Sequence, residues 1–192
     1  MSDWSSDVCS SDLRGGIGYI EEFVTPRLLR DAHLGSIWEG TGNIVAIDAL
    51  KRAVGRHGAD NALAADLHAR LDDSPNVPQA WRNRLRELSD RAIGFAREVA
   101  GRIDNEGDAR RATSLLYHVA SAVALAWEGG RIHEMRGDAR RLLLSRMVVD
   151  HRVMPGDPFR LAENTVQRRM TEHLLGDRAI GMAEVGELLV AA

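Results

Sequence analysis

The chain has 192 residues, and 25 Lys and Arg against 28 Asp and Glu leave a formal charge of −3, which gives no reason to expect nucleic-acid binding by the chain as a whole. Its apolar content, 44%, suffices for one core, but no apolar run approaches the length of a membrane span. A single cysteine, Cys9, cannot form an internal disulfide, so the chain points to a reducing, cytoplasmic setting.

Residues 1–13 differ in composition from everything after them, and their Ser and Asp content reads as a disordered tail. They lack the basic start and apolar run of a signal peptide. They are similar to the peptide that translated sequencing-adapter DNA yields at the edge of an assembled read, which would put the authentic start near Arg14 or Gly15. Next come Gly15-Gly16-Ile17-Gly18-Tyr19-Ile20-Glu21-Glu22, then Pro26-Arg27-Leu28-Leu29-Arg30-Asp31-Ala32, then Ile37-Trp38-Glu39-Gly40-Thr41-Gly42-Asn43-Ile44. The last stretch sets Glu39 on an aromatic-flanked loop. Ile44, Ile47, Leu50 and Val54 follow at helical spacing, so the loop feeds a helix with one apolar face. Thr41 is a candidate N-cap for that helix. The free N–H groups of a helix start favour a negative or strongly accepting group, and Gly40 lets another molecule approach the backbone. The arrangement suits acid–base chemistry beside a bound cofactor. The competing reading of the same residues is a glutamate that caps or salt-bridges a helix start.

Past this region the pattern is helix after helix. Asn61 to Leu71 is a short Ala/Leu segment closed by Asp72-Asp73-Ser74-Pro75. Trp81, Leu85, Leu88, Ala92, Phe95, Val99 and Ile103 alternate steps of three and four, the signature of one long amphipathic helix. Asn105 to Asp108 reads as a turn, and a helix from about Ala109 to Glu128 carries Leu115, Leu116, Val119, Val123 and Trp127. Gly129-Gly130 and Gly137-Asp138 punctuate, and Ala139 to Val153 forms the next helix. Pro155-Gly156-Asp157-Pro158 is the firmest break. Phe159, Ala162, Val166, Met170 and Leu174 give a further helix, and a last one runs from about Asp177 to Val190. Almost nothing alternates with period two, so no sheet is expected. The fold class read from this is all-α, an antiparallel helical bundle with extra C-terminal helices.

Two chemical signals fail on inspection. Gly15-Gly16-Ile17-Gly18 lacks the spacing and preceding strand of a dinucleotide fingerprint. The seven histidines never fall into a metal-ligand spacing, so no metal site is expected. The pairs Arg110-Arg111, Arg140-Arg141 and Arg168-Arg169 admit a DNA-binding face, but their acidic neighbours Glu106, Asp108, Asp138 and Glu163 favour a solvated face of mixed charge.

Taken in order and spacing, the glycine turn, the Arg-Asp helix and the Trp-Glu-Gly-Thr-Gly-Asn loop resemble the last quarter of acyl-CoA dehydrogenases. Trp38 and Gly42-Asn43 look more like the DNA-alkylation-response branch of that family than like members with Tyr and Ser-Gln there. The resemblance implies an FAD-dependent enzyme with Glu39 as the catalytic base that removes the α-proton of an acyl-CoA thioester. Trp38 and Gly40 would meet the substrate, Thr41, Gly42 and Asn43 would lie against the FAD, and Gly15 and Gly16 would contact the flavin of a neighbouring subunit. It further implies a homo-oligomer, dimer or tetramer, and an electron-transfer flavoprotein as electron acceptor. Residues 14–58 would then be the end of the dehydrogenase helical domain and 59–192 a helical extension. The regions that build most of the flavin and acyl-CoA sites would lie outside this chain, so the fragment alone is expected to be inactive. Two alternatives stay open: a DNA-associated alkylation-response flavoprotein and a free-standing helical interaction module.

Overall fold

The computed structural model describes residues 13–38, 40–102, 106–156 and 165–190. Among them there is no strand. The helices are α1 (Gly16–Tyr19), α2 (Val24–Trp38), α3 (Gly42–Asp48), a π-helix π1 (Ala49–Arg56), α4 (Ala59–Asp72), α5 (Gln79–Gly101), α6 (Glu106–Arg136), α7 (Arg140–Val148), a second π-helix π2 (Val149–Val153), α8 (Thr165–Leu175) and α9 (Met182–Val190). The chain divides into two compact units, Met1–Asp48 and Ala49–Ala192.

The larger unit is the all-α antiparallel bundle that the periodicity predicts. On α5, Trp81, Leu85, Leu88, Ala92, Ala96 and Val99 are all buried, and each fully buried large side chain among them contributes about 1.5–3 kcal/mol. Trp81, Leu85, Leu88 and Ala92 share one core with Val119, Ala122, Val123 and Ala126 of α6 and Leu142 and Leu143 of α7, with Met170, Val185 and Leu188 closing it from α8 and α9. The pairing runs antiparallel: Ser145 of α7 reaches Ala122 of α6, while Leu142 meets Gly129.

Trp81 and Ser145 fix this packing with polar chemistry. The Trp81 indole N–H donates to Ser145 Oγ at 3.2 Å, and the Ser145 hydroxyl donates to the Ala122 carbonyl at 2.7 Å. All three residues are buried, so the chain of bonds satisfies groups that water cannot reach. At the edge of the bundle the buried Asp60 carboxylate accepts from Arg97, whose Nη2 also donates to Asn61 at 2.8 Å.

Several boundaries differ from the sequence reading. α6 runs unbroken through Gly129-Gly130, because Leu142 packs so closely on Gly129 that a Cβ there would stand 2.5 Å from Leu142 Cδ1 and 3.1 Å from Leu142 N. The glycines serve helix approach, not helix termination. Gly137 does end the helix: its φ of 71° is left-handed and its N–H returns to the His133 carbonyl at 2.8 Å. Glu106 to Asp108, expected in a turn, already belong to α6; Asn105 and Ile103 lie outside the described residues. The last helix starts at Met182, not near Asp177, since the Ile180 carbonyl accepts from Ala139 N at 2.8 Å and its side chain is buried instead. Phe95 is only half-buried, and Ala96 takes the core position beside it. The expected segment through Val153 ends in a π-turn, with Met154 N donating to the carbonyl of Val149 five residues back. Asp157, Pro158, Phe159 and Ala162 lie outside the described residues.

Candidate functional site

The residues singled out in the sequence all fall in the smaller unit. Gly15 has φ 56° and ψ −135°, and no atom lies within 4 Å of where a Cβ would stand; that backbone conformation is closed to residues with a side chain. It starts α1, where Gly18 N donates to Gly15 O at 2.9 Å. Arg14 donates to Thr25 Oγ1 at 3.5 Å, so the Gly15-Gly16 turn lies at the N-terminal end of α2. Arg30, on the second turn of α2, reaches back to Glu21 with both terminal nitrogens, one of them at 2.9 Å. That hydrogen bond holds the Glu21 carboxyl below the usual carboxylate range.

The Trp-Glu-Gly-Thr-Gly-Asn stretch follows the other end of α2. Trp38 is its last residue and stands 78% exposed, with Ile37 at 71%. Glu39 lies outside the described residues. Gly40 has φ 93°, again a glycine conformation. Thr41 sits at the N-cap position expected for it, its carbonyl accepting from Val45 N at 3.1 Å, and α3 begins at Gly42. Thr41, Gly42 and Asn43 are exposed. The structure therefore gathers Trp38, Gly40, Thr41, Gly42 and Asn43 on one loop and helix start. Gly15 and Gly16 sit at the opposite end of a 15-residue helix, about 20 Å away at 1.5 Å per residue.

Tyr19, Val24, Leu28 and Ile44, like Ile37 and Trp38, are more than half exposed in this unit. Such a density of open apolar side chains is what a surface made for packing displays.

In the larger unit four of the six arginines of the Arg-Arg pairs meet carboxylates. Arg111 pairs with Asp108 at 3.1 Å, Arg140 with Asp138 at 3.7 Å, Arg141 with Glu128 at 2.7 Å and Arg168 with Glu172 at 3.6 Å. Glu163 is outside the described residues. No group of three or more His, Cys, Asp or Glu among the described residues could hold a metal ion, and no described helix is long and apolar enough to cross a membrane.

Sequence reading missed a cluster around Trp127. The guanidinium groups of Arg70 and Arg131 stand 5.1 and 4.7 Å from the centroid of the Trp127 ring. The indole N–H donates to Asp73 at 3.1 Å, and Arg131 also pairs with Asp73. Those two donors, the indole foremost, hold the Asp73 carboxyl below its ordinary range. Its members come from α4, the turn after it and α6, and no local motif joins them.

No protein-family model matches the chain, and no solved structure matches it. Two curated proteins do. "Putative acyl-CoA dehydrogenase AidB" of Escherichia coli (strain K12) is 52% identical over 40 residues, 21% of this chain and 7% of that protein. The chain is weakly homologous to acyl-CoA dehydrogenase family members. "Acyl-CoA dehydrogenase family member 11" of Caenorhabditis elegans is 27% identical over 135 residues, 65% of this chain and 20% of that protein. The chain thus spans at most a fifth of the length of these relatives.

Proposed function

We propose that this chain is the C-terminal portion of an FAD-dependent acyl-CoA dehydrogenase in which Glu39 is the base that takes the α-proton of an acyl-CoA thioester. The observation that carries the reading is the backbone of the motif region: two glycine turns at positive φ, Gly15 and Gly40, held at the two ends of α2, in a chain weakly homologous to that family.

FAD, when bound, supplies the acceptor for the β-hydride. The residues present fit it as contributors. Gly15, with nothing within 4 Å of its Cβ position, leaves the backbone open to a planar ring, and Thr41 carries a hydrogen-bonding side chain beside a helix start. Because the two glycine segments are about 20 Å apart, they cannot both touch one flavin ring, which supports assigning Gly15 and Gly16 to the flavin of a second subunit. Gly40 and Trp38 would bound the thioester.

An α-proton of a thioester is weakly acidic, so a carboxylate can remove it only where burial raises the base and donors stabilise the enolate. Ile37 and Trp38 supply apolar walls but stand open in this unit. They would become a desolvating wall once the rest of the longer protein covers them, which also accounts for the other exposed apolar side chains of α1 to α3. Electrons would leave to an electron-transfer flavoprotein. Among the alternatives, the formal charge of −3 gives a DNA role no support.

The test is anaerobic titration of the flavin-loaded longer protein with straight-chain acyl-CoA thioesters of short, medium and long chain. Bleaching of the oxidised flavin by at least one of them is expected. A flavin that stays oxidised with all three would overturn the assignment.

A further inference from the structure

Between α5, α6 and the end of π2 lies an open cavity of about 300 Å³, lined by Leu88, Ala92, Phe95, Leu115, Val153 and Met154 and by two arginines, Arg91 and Arg111. We propose that it is a binding site for a small organic anion with an apolar body, a medium-chain carboxylate. The proposal concerns the larger unit alone and does not rest on the role of Glu39.

The floor is dry. Leu88 and Ala92 are buried core residues, and the walls are apolar, so water entering the cavity finds few partners. A volume near 300 Å³ is at the small end of ligand pockets and admits a medium-length alkyl chain rather than a nucleotide. The wall formed by Val153 and Met154 depends on π2. Its i→i+5 turn closes with Met154 N donating to Val149 O at 2.8 Å and sets both residues at the helix end, and such turns recur at functional sites.

The rim carries two arginines. Among the described residues, Arg91 and Arg111 are the charged ones that line the cavity, which makes an anion the complementary guest. Arg111 stands 4.8 Å from the Phe95 ring centroid, a cation–π contact that limits its freedom before any ligand arrives. Each arginine has a carboxylate partner on its own helix, Glu87 at 3.5 Å and Asp108 at 3.1 Å. Both are exposed pairs three or four residues apart, of a kind that contributes little, so a ligand carboxylate can draw the guanidinium groups to itself. A neighbouring cavity that shares Met154 differs: the Asp150 carboxylate lines it beside Arg84 and Arg146, and Arg146 already serves Leu188 O and Asp150.

The experiment is a backbone-amide NMR titration of the full chain with octanoate, octyl phosphate and 1-octanol, repeated on Arg91→Gln/Arg111→Gln. Both arginines are exposed, and unchanged melting of the double variant establishes that it is folded. Octanoate is expected to shift signals of residues 88–95, 111–115 and 153–154 and to bind about tenfold or more tightly than octanol, with the double variant losing that preference. Octanoate above octyl phosphate assigns the carboxylate; the reverse order overturns that assignment. Equal affinity for octanoate and octanol, retention of the preference in the variant, or no shift by octanoate would overturn the site.

Discussion

Gly129 and Gly107 show how one residue type carries opposite constraints in a single helix. A Cβ at Gly129 would press on the backbone and side chain of Leu142, itself fully buried and without room to swing. Overpacking of this kind costs about 1–3 kcal/mol, against roughly 1 kcal/mol recovered in helix propensity. Gly129→Ala should therefore destabilise the chain by up to about 2 kcal/mol. Gly107, with nothing within 4 Å of its Cβ position, should gain up to about 1 kcal/mol as alanine. Denaturant midpoints of the two variants check this, and a shift in the same direction for both would contradict it. Asp73 offers a pH-dependent counterpart. Its carboxyl is depressed by the Trp127 indole and by Arg131, so the stability it contributes is present above the unperturbed carboxyl pKa of about 3.9 and is lost as pH falls through the lower folded value. The melting-temperature gap between wild type and Asp73→Asn should narrow as pH drops below about 4; a constant gap would show that the carboxylate is not paired.

At the scale of elements, Trp81, Ser145 and Ala122 join α5, α7 and α6. Ser145→Ala would leave the buried Trp81 N–H without its acceptor, costing about 1–3 kcal/mol. An unfolding midpoint equal to that of wild type would mean that the indole finds another partner. The α5 stripe was legible in the sequence because its apolar steps of three and four are what burial on one side of a helix requires. The continuity of α6 was not, since glycines read as punctuation until Leu142 is known to lie against them. Nor was π2, whose wider turn depends on packing rather than on any residue pattern. The motif loop was visible because Trp38 to Asn43 are adjacent in sequence. The Trp127 cluster was hidden because Asp73 and Arg131 stand 58 residues apart.

For the whole molecule, the two units present different kinds of surface. The larger has a core of leucine, valine and alanine side chains drawn from α4 to α9, while the smaller keeps Trp38, Ile37, Tyr19 and Val24 open. That contrast is what a catalytic edge, completed by other parts of a longer protein, would display. The chain spans 7% and 20% of the two relatives' lengths. The most direct measurement is rapid-mixing reduction of the flavin by an acyl-CoA in the longer protein carrying Glu39→Gln, which keeps the side-chain shape and removes its basicity. The account predicts that flavin stays bound while the rate of bleaching falls by roughly two to four orders of magnitude. Bleaching at the wild-type rate would contradict it and place the base on another residue.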